Sequence, residues 1–123
     1  MHHGAQAYAS TAKVTSTANP RDLEASLLLK AAARLQTVKD GWPVKSDDLL
    51  HALTYNRKLW TVLATAVTRP ENPLPLEIKN NIANLGIFIF QRSLDVETAP
   101  APEKLTILVS INRNIAAGLS GRG

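Results

Sequence analysis

Two Asn-Arg pairs, Asn56-Arg57 and Asn112-Arg113, carry the side chains of this sequence best suited to specific polar chemistry. Each Asn interrupts a stripe of apolar residues spaced alternately three and four apart, the pattern of one helix face. The two stripes are Leu49, Leu53, Asn56, Trp60, Leu63, Val67 and Leu105, Leu108, Asn112, Ile115, Leu119. An amide buried without a partner costs roughly 1–3 kcal/mol, so we expect both inward amides to be hydrogen-bonded.

The Asn-Arg pairs support two compatible interpretations. In the first, Asn56 and Asn112 hydrogen-bond to each other or to backbone ends and fix the register of their helices, as a single inward Asn does in coiled coils. In the second, Arg57 and Arg113 flank a groove between those two helices and offer charge-assisted hydrogen bonds to an inserted third helix. The pairs therefore predict a structural polar lock, a partner-binding groove, or both.

Catalytic and metal-binding residues are scarce. The sequence has no cysteine, which excludes disulfides, thiolate nucleophiles and cysteine-ligated metals. Asp47 and His51 are four apart, as two metal ligands on one helix turn would be, but a third ligand is lacking. No phosphate-binding glycine loop, paired-histidine motif or nucleophile beside a base occurs. We expect a protein that is not an enzyme and that holds no metal or cofactor.

Nucleic acid is a possible partner on charge alone. The net charge is +4 at a pI of about 9.7, but the fourteen Lys and Arg residues are scattered rather than clustered. Tyr55, Arg57 and Lys58 would form a base-stacking and phosphate-binding surface only if they shared one exposed face, whereas nearby Trp60 lies on the apolar stripe. RNA binding is therefore the alternative and not the first interpretation.

Helical periodicity and helix-capping residues organise the whole chain. Asn19 and Pro20 suit the N-cap and first position of one helix, Ser46 suits the N-cap of the next, and Gly118 suits the position just after the last. The pattern predicts an all-α, single-domain bundle over residues 1–123. It comprises a short helix in residues 1–18 and four main helices at about 20–39, 46–68, 75–97 and 103–117.

The third main helix is apolar on most of its circumference. One of its stripes consists of Leu76, Ala83, Ile87, Phe90 and Leu94, and the other of Ile78, Ile82, Leu85 and Ile89. Such a helix is expected to be central in the bundle or covered by a partner. It also contains four charged residues between positions 76 and 96, so we do not expect it to span a membrane. The candidate apolar anchors for a partner are Leu59, Leu63, Phe88 and Phe90.

Six short motifs, in order and spread over nearly the whole chain, resemble the flagellar biosynthesis regulator FlaF family of alphaproteobacteria. They are NPRDLEA at 19–25, LLKAA at 28–32, YNRKLW at 55–60, NPLP at 72–75, NIANL at 81–85 and INRNIAAGL at 111–119.

The resemblance implies a cytoplasmic protein, without a cofactor, that promotes flagellin production together with or against the regulator FlbT. It also implies a chaperone that binds flagellin before export. A helical bundle with an apolar helix and polar pairs suits the capture of an amphipathic terminal helix of flagellin. The alternatives are a regulator of flagellin messenger RNA, acting directly or through FlbT, and a structural adaptor of the export apparatus.

Overall fold

The structure, a computed structural model, describes residues 20–121. Within that range it contains four α-helices and one 3₁₀ turn, and no strand. The elements are α1 (Pro20–Asp40), α2 (Ser46–Ala66), α3 (Leu76–Thr98), the 3₁₀ turn Pro102–Leu105 and α4 (Thr106–Leu119). The all-α class and the four main helices are confirmed. The predicted short helix in residues 1–18 and the N-cap Asn19 lie outside the described residues.

The helix starts differ in detail from the capping pattern. α1 begins at Pro20 as predicted, because a proline at the first position gives up no hydrogen bond. In α2 the N-cap is Lys45 rather than Ser46, and no side chain caps the helix. Ser46 instead occupies the first helical position, where Asp47 and Asp48 follow it and favour the positive end of the helix dipole.

The last helix also starts and ends at other residues than predicted. The segment from Pro102 first forms a 3₁₀ turn, and the α-helix starts only at Thr106. Gly118 lies within α4 and is not the residue that ends it. That role falls to Gly121, whose φ of 75° is readily adopted by glycine and whose amide donates to the carbonyl of Gly118 at 3.2 Å.

Helix α1 occupies the centre of the bundle. It packs most extensively against α4 and also against α2, whereas α3 packs mainly against α2 and makes few contacts with α4 or the 3₁₀ turn. The prediction that α3 is central is therefore wrong. The other prediction, that a partner covers α3, agrees with the exposure of Leu76, Ile87 and Leu94 on one of its apolar stripes.

The connection from α2 to α3 is fixed by Asn72. Its side-chain amide donates to the carbonyl of Ala66 at 3.2 Å, and its side-chain oxygen accepts from the amide of Leu74 at 3.0 Å. This turn and the prolines at 73 and 75 restrict the backbone so that α3 returns antiparallel to α2. The antiparallel order is seen in the pairing of Arg57 with Glu97 and in the proximity of Ala64 to Gly86.

We expect Gly86→Ala to stabilise the bundle. Gly86 is buried in α3 against α2, and a Cβ atom built there lies 3.5 Å from the Cβ of Ala64 and 3.9 Å from Cε3 of Trp60, which is ordinary contact. Alanine should therefore fit and add about 0.5–1 kcal/mol through its helix propensity. Urea denaturation measures the gain. A loss of stability would show that α2 and α3 pack more tightly than in this structure.

Candidate helix-binding site

A buried polar layer, formed by Asn56, Trp60 and Asn112, joins α2 to α4. Asn112 is its centre: its side-chain oxygen accepts from Nε1 of Trp60 at 2.9 Å, and its Nδ2 donates to Oδ1 of Asn56 at 2.7 Å. The same Nδ2 also lies 3.4 Å from the carbonyl oxygen of Leu28 in α1. All three residues are fully buried. One side chain of α4 thus hydrogen-bonds to both α1 and α2.

The direction of these hydrogen bonds follows from Trp60. An indole N–H can only donate, so Asn112 must present its oxygen to Trp60 and its amide nitrogen to Asn56. Asn56 must then present its oxygen to Asn112, which leaves Nδ2 of Asn56 buried without a hydrogen-bond partner among the described residues. Asn112 is therefore well satisfied, whereas Asn56 carries an unmet donor.

The two arginines do not line one groove. Arg57 forms an ion pair with Glu97 and so joins α2 to α3. Arg113 is exposed on α4 and lines a cleft with Gln36 of α1. The predicted groove between α2 and α4, flanked by both arginines, is corrected: these helices face each other across the core through the polar layer and have no close backbone contact.

The residues considered for RNA binding do not form one exposed surface either. The guanidinium of Arg34 lies 4.4 Å from the ring centroid of Tyr55, so one face of that ring is covered. Arg57 is engaged with Glu97, and Trp60 is fully buried. Of the residues considered for RNA binding, Lys58 alone is exposed, and it forms no ion pair within the described part of the chain.

The four predicted apolar anchors lie in different environments. Leu63 is buried in the core, so it cannot serve as an anchor for a partner without opening the bundle. Leu59 and Phe88 are half-buried and pack against the core, and Arg92 lies over the ring of Phe88 at 5.4 Å. Phe90 is also half-buried and packs against the core. It is the predicted anchor that shares a helix stripe with strongly exposed apolar residues.

We call that stripe the α3 seam and define it as Leu76, Asn80, Ala83, Ile87, Phe90 and Leu94. Three of its side chains are strongly exposed: Leu76 at 73%, Ile87 at 58% and Leu94 at 61%. No other run of exposed large apolar residues in positions 20–121 follows one helix stripe over such a length. The α3 seam is therefore the best candidate for contact with a partner.

The borders of the α3 seam carry few charges. On the solvent side the flanking residues are exposed and polar, and only the first of them is charged: Glu77, Asn84, Gln91 and Thr98. On the side of α2, Ala64 lies near Gly86, and Thr61 and Thr68 share its helix edge by their spacing. The charges on that side are Lys79 of α3 and the Arg57–Glu97 ion pair. The seam is thus an apolar strip whose rim is mostly polar and carries its single charges, Glu77 and Lys79, near the start of α3.

Sequence reasoning identified this stripe as apolar but did not select Ile87 or Leu94 as site residues. The predicted anchors on α3 are Phe88 and Phe90 instead. The missed signal is the strict alternation of spacings of four and three from Leu76 to Leu94, with Asn80 at the position where the apolar stripe has a gap.

Two other features, metal sites and membrane-spanning helices, were considered in the described residues. Within residues 20–121, His, Asp and Glu side chains do not come together in any group of three that could hold a metal ion. None of the helices in this range has both the length and the hydropathy needed to cross a membrane.

Comparison with known protein families identifies a match. The family model described as "Flagellar protein FlaF" matches residues 4–119, which is nearly the whole chain. No curated protein and no solved structure matches.

Proposed function

Because the chain belongs to the flagellar protein FlaF family, we propose that it binds an amphipathic terminal helix of flagellin on the α3 seam. By holding that helix in the cytoplasm before export, it acts as a flagellin chaperone and couples the supply of flagellin to its synthesis and export. The observation that carries the proposal is the exposed apolar seam of α3. Flagellin belongs to the same cellular process as this family, which makes it the natural occupant.

The seam supplies apolar contact on the scale that a reversible complex needs. Fully covering a Leu or Ile side chain is worth about 1.5–3 kcal/mol, and Leu76, Ile87 and Leu94 each have more than half of their surface to lose. Association and ordering of a flexible segment consume part of that gain. The expected affinity is therefore micromolar or somewhat tighter, suitable for a chaperone that must release its client.

Calorimetric titration of flagellin into the protein tests the proposal. We expect a one-to-one complex whose formation has a negative heat-capacity change, because apolar surface is buried. Deletion of one flagellin end should abolish binding, and deletion of the other should not. Binding that survives both deletions, or no binding at all, would contradict a terminal-helix client.

A titration with flagellin leader RNA distinguishes the chaperone function from the alternative, regulation of flagellin messenger RNA. RNA affinity falls steeply between about 50 and 200 mM salt because phosphate contacts release counterions, whereas a helix on an apolar seam is far less sensitive to salt. We expect weak, salt-sensitive RNA binding without sequence preference. Tight and selective RNA binding in the absence of FlbT would favour the messenger RNA interpretation.

The arginine positions make a further prediction about the client. Arg57 lies on the edge of α2 that borders the seam, whereas Arg113 faces α1. We expect Arg57→Ala to weaken flagellin binding up to about tenfold, and Arg113→Ala to leave it unchanged. The Arg57–Glu97 pair is partly exposed, so its loss should change stability by less than about 1 kcal/mol. Equal losses of binding in both variants would place the client elsewhere.

A further inference from the structure

A cleft separates the beginning of α3 from the end of α4. It has a volume of about 290 Å³, and none of the described residues that line it is charged. We call it the α3–α4 cleft; its walls carry four apolar side chains and two amides, which are Leu74, Ile78, Ile115, Leu119, Asn81 and Asn114. An apolar cavity of about 150 Å³ is enough to bind benzene, so this cleft has room for an aromatic side chain.

The α3–α4 cleft is separate from the α3 seam. Ile78, which lines the cleft, lies about 200° around α3 from Leu76, the first residue of the seam. The cleft is also on the side of α3 that makes few contacts with α4. Whatever fills it would therefore add packing between these two helices and leave the seam uncovered.

Gly118 lies in the wall of the α3–α4 cleft with nothing packed on it. It is within α4, and a Cβ atom built there meets no other part of the described chain within 4 Å. Neither crowding nor a positive φ therefore accounts for a glycine, which is a poor helix former. A glycine on a helix surface lets another segment approach the backbone closely. The position suits a segment that packs onto the end of α4.

Residues 1–19 join the bundle at this end. The carbonyl of Leu28 lies 3.4 Å from Nδ2 of Asn112, and Gln36, further along α1, lines a cleft with Thr106 at the start of α4. Helix α1 therefore runs antiparallel to α4. Equal steps back along α1 and forward along α4 bring the first residue of α1 level with the last residue of α4. The preceding segment thus starts about one helix diameter, roughly 10 Å, from the cleft.

The sequence of residues 4–12 matches the character of the cleft. It contains no charged residue, and Tyr8 is its only large apolar side chain. Tyr8 shares one helical stripe with Ala5, Ala9 and Ala12, whose small side chains allow close packing. Residues 13–19 are long enough to cross the end of α4, since an extended chain covers about 3.3 Å per residue. The family match begins at residue 4, so this segment belongs to the matched domain.

We propose that residues 5–12 pack as a short helix into the α3–α4 cleft of their own chain, with the ring of Tyr8 between Ile78 and Ile115. A buried tyrosine needs a partner for its hydroxyl group, and Asn81 or Asn114 can supply one. The covalent connection selects this segment over a free helix, because a tethered segment has an effective concentration in the millimolar range. The docked segment braces α3 against α4.

Thermal melting of full-length variants tests whether the segment packs on the bundle. We expect Tyr8→Ala to lower the melting temperature by roughly 5 °C or more, because it removes a buried ring. Tyr8→Phe keeps the ring and should retain most of the stability. Lys13→Ala, in the same part of the chain but off the stripe, should melt as the unaltered protein does. An unchanged melting temperature for Tyr8→Ala overturns the proposal.

Cysteine pairs test where the segment lies, since the sequence has no native cysteine. One variant combines Ala9→Cys with Asn114→Cys in the cleft, and the control combines Ala9→Cys with Ser26→Cys. Ser26 is exposed on α1 and closer to residue 9 in the sequence. With a short bismaleimide reagent we expect the first pair to cross-link within one chain at least about tenfold faster than the control. Equal rates, or cross-links between two chains instead, overturn the proposal.

Calorimetric titration of flagellin into Tyr8→Ala distinguishes this segment from a client as the occupant of the cleft. The α3 seam lies on another side of α3, so we expect Tyr8→Ala to bind flagellin with unchanged affinity. A variant that loses flagellin binding but melts at the same temperature as the unaltered protein would place the client in the cleft and overturn the proposal.

Discussion

Replacing Ile87 with Asp is expected to weaken flagellin binding at least about a hundredfold while the protein remains folded. Ile87 is 58% exposed and lies in the middle of the α3 seam, so the new carboxylate is hydrated in the free protein. In the complex the same carboxylate would be covered by the apolar face of the client helix and would lose its water. The substitution therefore lowers the affinity for flagellin and hardly changes the free energy of unfolding.

Calorimetric titration of flagellin into Ile87→Asp measures this loss, and circular dichroism with thermal melting checks the fold. Val62→Asp introduces the same charge at a comparably exposed apolar residue away from the seam, and we expect it to bind flagellin normally. Normal binding by Ile87→Asp, or equal losses in both variants, would mean that the client does not lie on the seam.

The largest expected effect on stability comes from Asn112. Asn112→Leu removes the acceptor of Trp60 and the donor to Asn56, both of which are fully buried. Leaving two buried polar groups without partners costs about 2–5 kcal/mol. Asn56→Leu removes the oxygen that accepts from Nδ2 of Asn112, but it also removes the unpaired Nδ2 of Asn56. Because Nδ2 of Asn112 keeps the carbonyl of Leu28, we expect a change within about 1 kcal/mol of either sign.

Urea denaturation of both variants tests this asymmetry, with Asn114→Leu as the control. Asn114 is an exposed Asn on the same helix, and its replacement should change the free energy of unfolding by less than about 0.5 kcal/mol. Equal effects at Asn56 and Asn112 would contradict the hydrogen-bond directions described above.

The four main helices were predictable because local signals agree. Pro20, the aspartates at 47 and 48 and the prolines at 70, 73 and 75 mark helix ends, and apolar spacing marks the inner faces. Asn56 and Asn112 were recognised as inward because each replaces an apolar residue in such a stripe. Both are fully buried in the structure.

The arrangement of the helices was harder to predict. Hydropathy alone suggested that α3 is central, because a helix with two apolar stripes has more apolar surface than one interface uses. The structure buries only one stripe and gives the central place to α1, whose alanines at 25, 31 and 32 are buried in the core and leave room for close neighbours.

The candidate site was only partly predictable for the same reason. Arg57 and Arg113 occupy equivalent places in two similar motifs, but they point to different neighbours because α2 borders α3 whereas α4 borders α1. Such differences depend on tertiary packing, which spacing along one helix does not encode. The seam residues Ile87 and Leu94 became site candidates only when their exposure was known.

Site-specific photo-cross-linking tests most directly whether flagellin lies on the α3 seam. A photoreactive amino acid placed at Ile87, and in a separate protein at Val62, would be irradiated in the presence of flagellin. The proposed function predicts a cross-link from position 87 into one terminal segment of flagellin and none from position 62. Cross-links from position 62 with none from position 87 would contradict it.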